Sequence, residues 1–215
     1  MFSLVFKALL ESLYMTLAST LAAYIIGLPL GVILVITDKG GVRPNTAVNR
    51  VLGSIINIVR SAPFIILLLA VVPLTRFLVG TSVGSSATVV PLVIAAAPFV
   101  ARIVEGALRE VDKGVIEAAV SMGASTFQIV VVMIKEAVPS LISGAAIAVT
   151  TILGYSTMAG FVGGGGLGAV AINYGYYRGQ YGIMLVMVAV LVLIVEGFQA
   201  AGNFAARRLD KRKNH

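Results

Sequence analysis

The chain has 215 residues, of which 59% are hydrophobic and 12% are charged, and its mean hydropathy is +1.01. A soluble domain carries roughly a quarter charged residues, so a globule of this composition could not keep its apolar surface away from water. The composition therefore excludes a soluble enzyme, a disordered tail and a fibrous repeat, and it indicates an integral membrane protein.

Cysteine and histidine are almost absent. The chain has no cysteine, and its one histidine is the last residue, His215. These counts exclude a disulfide framework, a thiolate metal site and a cysteine nucleophile, and they leave acid–base chemistry without histidine. We predict no catalytic residue, no metal site and no cofactor in this chain.

Long gaps between charged residues predict five transmembrane helices, because about 20 apolar residues cross the hydrocarbon core of a bilayer. A cleaved signal peptide is the alternative for the first span, but that segment lacks a short apolar core followed by small cleavage-site residues. A glycine-rich turn is expected after the fourth span. The predicted spans are about 13–36, 54–75, 82–101, 139–161 and 181–203.

Five spans put the termini on opposite sides of the membrane, and the distribution of basic residues between the two sides predicts the orientation. With the C-terminus inside, the inner segments hold most of the lysines and arginines, whereas the outer segments hold only Lys7, Arg76 and Arg178. We therefore predict an outer N-terminus, a basic cytoplasmic tail over 206–215 and no nucleic-acid partner.

An amphipathic helix is predicted between the first two spans. Apolar residues recur at helical spacing from Val48 to Val59, with polar residues on the opposite face. Such a helix begins at the inner membrane surface and runs into the second span. Pro63 and Pro73 permit bends in that span.

Two glycine patterns have structural explanations. Gly27 and Gly31 form a G-x-x-x-G, which is typical of close helix packing within a bundle or between protomers. Gly163, Gly165 and Gly168 match the G-x-G-x-x-G spacing, but no strand precedes them, so nucleotide binding is not predicted. The chain also has no P-loop motif for ATP hydrolysis.

The hydrophilic segment 102–136 is predicted to be a cytoplasmic loop. Within it, 115–120 and 127–134 look helical, and Gly123 lies between them. Two short helices joined at a glycine form a projection suited to docking on a soluble partner. A solvated loop without a function is the alternative.

The run Glu117-Ala118-Ala119, followed by Gly123, resembles the E-A-A-x-x-x-G loop of permease subunits in bacterial ABC importers. That resemblance implies docking of the loop on a separate ATPase subunit, which would bind ATP and Mg²⁺ in place of this chain. The family pattern continues with an apolar residue, Leu and Pro. Here Lys135 and Glu136 occupy that region and the proline is Pro139, so the start of the fourth span is open.

Further strings are similar to the methionine-uptake permeases within this group, over about residues 12–205. The resemblance implies a type I ABC importer permease fold in a bacterial cytoplasmic membrane, surrounded by lipid. It also implies a dimer of this chain, two ABC ATPase subunits, and a periplasmic or lipid-anchored binding protein that delivers L-methionine and, in part of the family, D-methionine. The strings are 60–68, 72–76, 79–82, 97–102, 154–160, 165–168 and 174–176.

Candidate residues for the translocation path come from two of these strings. Arg60 lies near the inner boundary, where a charge is usually functional, although it could also extend to lipid headgroups. The segment 155–158 in the fourth span offers small polar side chains at a plausible position in the path. Packing of this segment against a partner protomer is the alternative. Glu196 lies in the last span and has no assigned role. The candidates are Arg60, Ser61, Tyr155, Ser156 and Met158.

Other functions make different demands on the sequence. An ion-coupled secondary transporter predicts several intramembrane carboxylates and an inverted repeat, but the spans contain only Glu196 and no convincing repeat. A membrane-embedded enzyme needs a nucleophile with a base, or metal ligands. A permease for another small amino acid remains an alternative.

Overall fold

The structure is a computed structural model that describes residues 2–209, and this part of the chain contains helices and no strand. Of the predicted tail 206–215, residues 206–209 continue the last helix, whereas residues 210–215, with His215, lie outside the described residues. A 3-10 turn at Gly160–Val162 and a π-helical turn at Ala171–Tyr176 flank α9. The helices are α1 (Phe2–Thr37), α2 (Thr46–Ser61), α3 (Phe64–Ala70), α4 (Val72–Val79), α5 (Ser85–Arg109), α6 (Lys113–Ser121), α7 (Thr126–Glu136), α8 (Val138–Ala159), α9 (Gly166–Val170) and α10 (Tyr181–Leu209).

The predicted all-helical fold is confirmed. Four helices, α1, α5, α8 and α10, are long and apolar enough to cross a membrane. A fifth span exists only if the bent pair of α2 and α3 is counted as one. The helices therefore provide four or five spans, where five were predicted.

The predicted second span, 54–75, is broken into three helices. α2 and α3 meet at 102° beside Pro63, and α4 begins after Val71 with Pro73 in its first turn. A proline ring fixes φ and removes the amide that a continuing helix would need, so both breaks occur where the chain has a proline. The predicted amphipathic helix is present as α2, but it turns sharply before α3.

Helix α1 extends beyond the predicted span 13–36 at both ends, whereas α5 begins inside the predicted span 82–101 and extends beyond its end. The gaps between charges gave bounds that were too short, because charged side chains within a helix can pair with one another. Lys7 and Glu11 face each other at 3.9 Å inside α1. Residues 102–109, which were predicted to belong to the cytoplasmic loop, are the last turns of α5.

The core of the bundle is the contact between α1 and α5. A Cβ atom at Gly27 would lie 2.7 Å from the Ala97 carbonyl oxygen, and one at Gly31 would lie 2.6 Å from that of Ala101. The two backbones can approach this closely because both α1 positions lack a side chain. The G-x-x-x-G pattern thus serves packing within the chain.

The glycine-rich segment after α8 is more than the predicted turn. It folds back into the bundle, and Gly166, Leu167 and Gly168 are buried. Gly168 lies against the carbonyl of Thr157 with no room for a Cβ atom, and Gly166 has φ of +74°. Both features require glycine, so the glycine run here permits a compact fold and not a flexible link.

Candidate functional site

The predicted docking loop consists of α6 and α7, and a turn at Gly123 joins them. The Ala124 amide donates to the Ala119 carbonyl at 3.1 Å, and the Gly123 amide donates to the Val120 carbonyl at 2.9 Å. These two bonds form a Schellman motif at the end of α6. Gly123 has φ of +76°, the left-handed conformation that favours glycine, so the turn depends on this residue.

Both loop helices begin with a side-chain cap. Asp112 accepts a hydrogen bond from the Gly114 amide at 2.7 Å at the start of α6. At the start of α7, Gln128 accepts from the Ser125 amide at 2.7 Å, while the Ser125 hydroxyl accepts from the Gln128 amide at 3.4 Å. This reciprocal capping box satisfies amides that a helix start leaves unpaired. The loop is therefore built from two defined helices.

One face of the loop is buried in the apolar cluster that also contains the end of α5. Buried side chains of α6 and α7 belong to the same apolar cluster as buried side chains at the end of α5. The contact attaches the loop to the transmembrane bundle and leaves its other face exposed. The loop residues of this cluster are Ala119, Ile129 and Met133; Ala107 and Leu108 of α5 and Val111, just after α5, belong to it as well.

The four residues of the E-A-A-x-x-x-G match differ in exposure. Glu117 and Ala118 are exposed and available to a partner, whereas Ala119 is buried in the contact with the bundle. Gly123 is exposed at the turn. The Ala119 side chain thus supports the loop from inside, because neighbouring residues on a helix point about 100° apart.

The sequence reasoning missed an apolar tip on this loop, formed by Val120, Met122 and Phe127. These side chains are 52%, 81% and 76% exposed, and they flank the Gly123 turn along the chain. Several exposed apolar side chains within one short segment are typical of an interaction surface. Their occurrence beside a glycine in a hydrophilic segment was the signal that could have found them.

Three of the predicted path residues surround the bend between α2 and α3. Arg60 and Ser61 are exposed at the end of α2, and the Ser61 hydroxyl donates to the Asn57 carbonyl at 2.8 Å. Just beyond the bend, the Phe64 ring stacks on Tyr155 of α8, with centroids 4.7 Å apart and planes 5° from parallel. The structure therefore brings the 60–64 segment and Tyr155 together.

The other two candidates differ from each other. Met158 is 49% exposed, whereas Ser156 is fully buried and its hydroxyl donates to the Leu153 carbonyl at 2.8 Å. Ser156 faces the interior of the chain, and its role as a path-lining residue stays a prediction. Glu196 lies exposed on α10. No group of acidic side chains that could hold a metal ion occurs within residues 2–209.

Comparisons with known proteins give the class. Residues 27–215 match the family described as "Binding-protein-dependent transport system inner membrane component". The chain is 46% identical to the "Probable D-methionine transport system permease protein MetI" of Vibrio cholerae, over 97% of this chain and 93% of that protein. It is also 46% identical to the "Methionine import system permease protein MetP" of Bacillus subtilis, over 84% and 82% respectively.

Solved structures give the fold. A chain of the inward-facing MetNI methionine ABC transporter matches with a TM-score of 0.95 and 44% identity, over 97% of both chains. An amino acid ABC transporter with histidines matches with a TM-score of 0.77 at 20% identity, which supports the fold alone. The chain belongs to the family of binding-protein-dependent transport system inner membrane components and has the ABC importer permease fold. The predicted resemblance to methionine-uptake permeases is confirmed.

Proposed function

We propose that this chain is the permease subunit of an ATP-driven importer that carries L-methionine, and also D-methionine, across a bacterial cytoplasmic membrane. The observation that carries the proposal is the likeness to a MetNI chain over almost the whole length, at 44% identity. Relatives at similar identity are named for methionine transport in Vibrio cholerae and Bacillus subtilis.

Two copies of the chain form the translocation path, and each docks one ABC ATPase through α6 and α7. Exposed Glu117 and Ala118, together with the apolar tip, support a docking role for the outer face of the loop. Its inner face shares an apolar cluster with the end of α5, and only residues 110–112 join α5 to α6, so a movement of the loop is passed to a transmembrane helix. ATP and Mg²⁺ bind the ATPase subunits, and the permease has no catalytic residue.

The N-terminus lies outside and the C-terminus lies in the cytoplasm. Basic residues support this orientation, because Arg109, Lys113 and Lys135 belong to the α5 end and the loop, and Arg207 and Arg208 to the last turn of α10. A periplasmic or lipid-anchored binding protein then delivers methionine at the opposite face of the membrane. Lipid covers the apolar outer surface of the bundle.

The path for methionine runs beside the bend between α2 and α3. Arg60 and Ser61 present exposed side chains there, and Tyr155 is half-buried and stacked on Phe64. Met158 is exposed on α8, the helix that carries Tyr155. A thioether side chain suits apolar and aromatic surfaces, and a positively charged group suits the methionine carboxylate. The bend supplies an element that can change angle as the path opens and closes.

Reconstitution tests this function. The chain, its ATPase subunit and its binding protein are placed in vesicles, and uptake of labelled methionine is measured with ATP, with ADP, and with unlabelled D-methionine or another amino acid as competitor. We expect ATP-dependent methionine uptake that D-methionine reduces. Uptake that runs equally well with ADP contradicts an ATP-driven importer, and uptake of another amino acid in place of methionine contradicts the substrate.

A further inference from the structure

A buried glutamate lies at the cytoplasmic end of α5. Glu105 is 7% exposed, and it is the one charged residue in the buried set of the described chain. Its carboxylate accepts from Arg102 Nη1 at 2.6 Å and from Arg109 Nη2 at 2.8 Å. A buried carboxylate between two guanidinium groups is stable only while both partners are held in place. Glu105 thus fixes the orientation of two arginines.

Both arginines also contact other parts of the fold. Arg102 Nη2 donates to the Asn57 side-chain oxygen at 2.8 Å and to the Gly53 carbonyl at 3.2 Å, both on α2. Arg109 Nη2 lies 2.9 Å from a carboxylate oxygen of Asp38, in the turn after α1. The charge network of Glu105, Arg102 and Arg109 therefore ties α2 and the α1–α2 turn to the end of α5.

The same end of α5 leads directly into the docking loop. Only residues 110–112 separate α5 from α6. Val111 among them is buried in the same apolar cluster as Ala119 of α6. The Glu110 carboxylate accepts a hydrogen bond from the Ser140 hydroxyl of α8 at 2.5 Å. Because the connection between α5 and α6 is short and is held by these contacts, a displacement of the loop displaces the end of α5.

On its other side the network leads to the candidate path. The α2 helix that Arg102 holds ends at the bend beside Pro63, and Phe64 beyond the bend stacks on Tyr155. A continuous series of contacts thus joins the docking loop to the path through α5, the charge network and α2. Such a series can carry coupling only if it moves as a unit.

We propose that Glu105 is a positioning residue for transport: through Arg102 and Arg109 it makes α2 and the α1–α2 turn move together with the end of α5 when the docking loop moves. The inference rests on the proposed function and adds the route by which ATPase movement reaches the path. Charge-assisted hydrogen bonds suit this role, because they are short and directional. Without the carboxylate, the loop could move while α2 stays behind.

The test compares methionine uptake with ATP hydrolysis in the same vesicles, using the complete transporter. Glu105→Gln keeps the shape of the side chain and removes its charge, and we expect uptake per ATP to fall about fivefold or more. Glu105→Asp keeps the charge and should restore part of the ratio. Glu196→Gln is the matched control, because Glu196 is exposed on α10, and its ratio should equal that of the parent.

The ratio separates coupling from stability. A merely structural role would lower the yield or the melting temperature of Glu105→Gln but leave uptake per ATP unchanged in the assembled complex, and that result overturns the inference. If the parent itself shows no ATP-driven methionine uptake, the proposed function fails instead.

A second variant answers the question even if Glu105→Gln does not assemble. The double variant Asp38→Ala with Asn57→Ala removes two outward contacts of the arginines and leaves Glu105 paired with them. Asp38 is half-buried and Asn57 is exposed, so the fold should tolerate both changes. We expect the same direction of loss in uptake per ATP, and a ratio equal to that of the parent contradicts the network.

Discussion

The Glu11 carboxylate accepts a hydrogen bond from the Gly166 amide at 2.9 Å, although 155 residues separate the two in the chain. The next residue repeats the contact, because the Ser12 hydroxyl accepts from the Leu167 amide at 2.9 Å. These amides begin α9, and the first amides of a helix have no partner within it. Helix α1 therefore caps α9 from outside and fixes the glycine-rich segment on the bundle.

Substitution of Ser12 should destabilise the protein. Ser12 is 1% exposed, and Ser12→Ala leaves the buried Leu167 amide without its acceptor. We expect a loss of about 1–3 kcal/mol in the free energy of unfolding, which denaturant unfolding of the detergent-solubilised protein can measure. Ser3→Ala is the control, because Ser3 is exposed on the same helix. Equal unfolding midpoints for the two variants would contradict the capping role.

The close approach of α1 and α5 should make Gly27 sensitive to a single methyl group. In Gly27→Ala the new Cβ atom would lie 2.7 Å from the Ala97 carbonyl and 2.8 Å from Val100 Cβ, and backbone cannot move aside as a flexible side chain can. We expect a loss of about 1–3 kcal/mol in the same unfolding measurement. Gly197→Ala is the matched control, since nothing lies within 4 Å of a Cβ atom there, and it should show no loss.

The sequence predicted the membrane class, the helical fold and the two helices of the loop because these depend on local patterns. Gaps between charges mark apolar spans, and the glycine beside Glu117-Ala118-Ala119 marks a helix end. The gaps between charges did not give the correct ends of α1 and α5, because Glu11 and Glu105 lie within these helices. Their partners, the α9 amides and two arginines, are supplied by the fold, and a rule that treats each charge as the end of a span cannot include them.

Exposure could not be predicted from the sequence in the same way. Ala118 and Ala119 are identical neighbours, yet the first is exposed and the second buried, because only one face of α6 lies in the apolar cluster that the tertiary fold creates. Ser156 was predicted beside the path for its polarity, but its hydroxyl is satisfied within α8. A small polar residue can be buried in a helix when its hydroxyl donates a hydrogen bond to a backbone carbonyl. The sequence does not distinguish such a buried residue from one that lines a path.

The turn at Gly123 should respond to backbone preference and not to side-chain size. Its φ is +76°, and nothing lies within 4 Å of a Cβ atom built there. Gly123→Val forces a β-branched residue into the left-handed region, at a local cost of about 1–2 kcal/mol, whereas asparagine adopts that region more readily. We expect methionine uptake in vesicles to fall in Gly123→Val and to stay near the parent value in Gly123→Asn. Equal uptake by both variants would contradict a role for the turn geometry.

The apolar tip should contribute more to ATPase binding than to the stability of the permease. Phe127 is 76% exposed, so Phe127→Ala removes few contacts within the chain and should change its unfolding free energy by less than about 0.5 kcal/mol. If the ATPase covers the ring, its removal should cost about 2 kcal/mol of binding free energy, which weakens the affinity roughly 30-fold. The measurement is equilibrium binding of the ATPase subunit to the immobilised, detergent-solubilised permease.

A matched variant separates this effect from a general loss of apolar surface. Phe161 is 60% exposed in the turn that follows α8, whereas Phe127 lies on α7, which precedes it, so the 22-residue α8 separates the two rings. Phe161→Ala should therefore leave the ATPase affinity unchanged, while Phe127→Ala and Met122→Ala each reduce it. If all three variants bind like the parent, the ATPase does not cover the tip, and Glu117 with Ala118 would have to provide the contact. If Phe161→Ala weakens binding as much as Phe127→Ala, the ATPase contact is not confined to this loop.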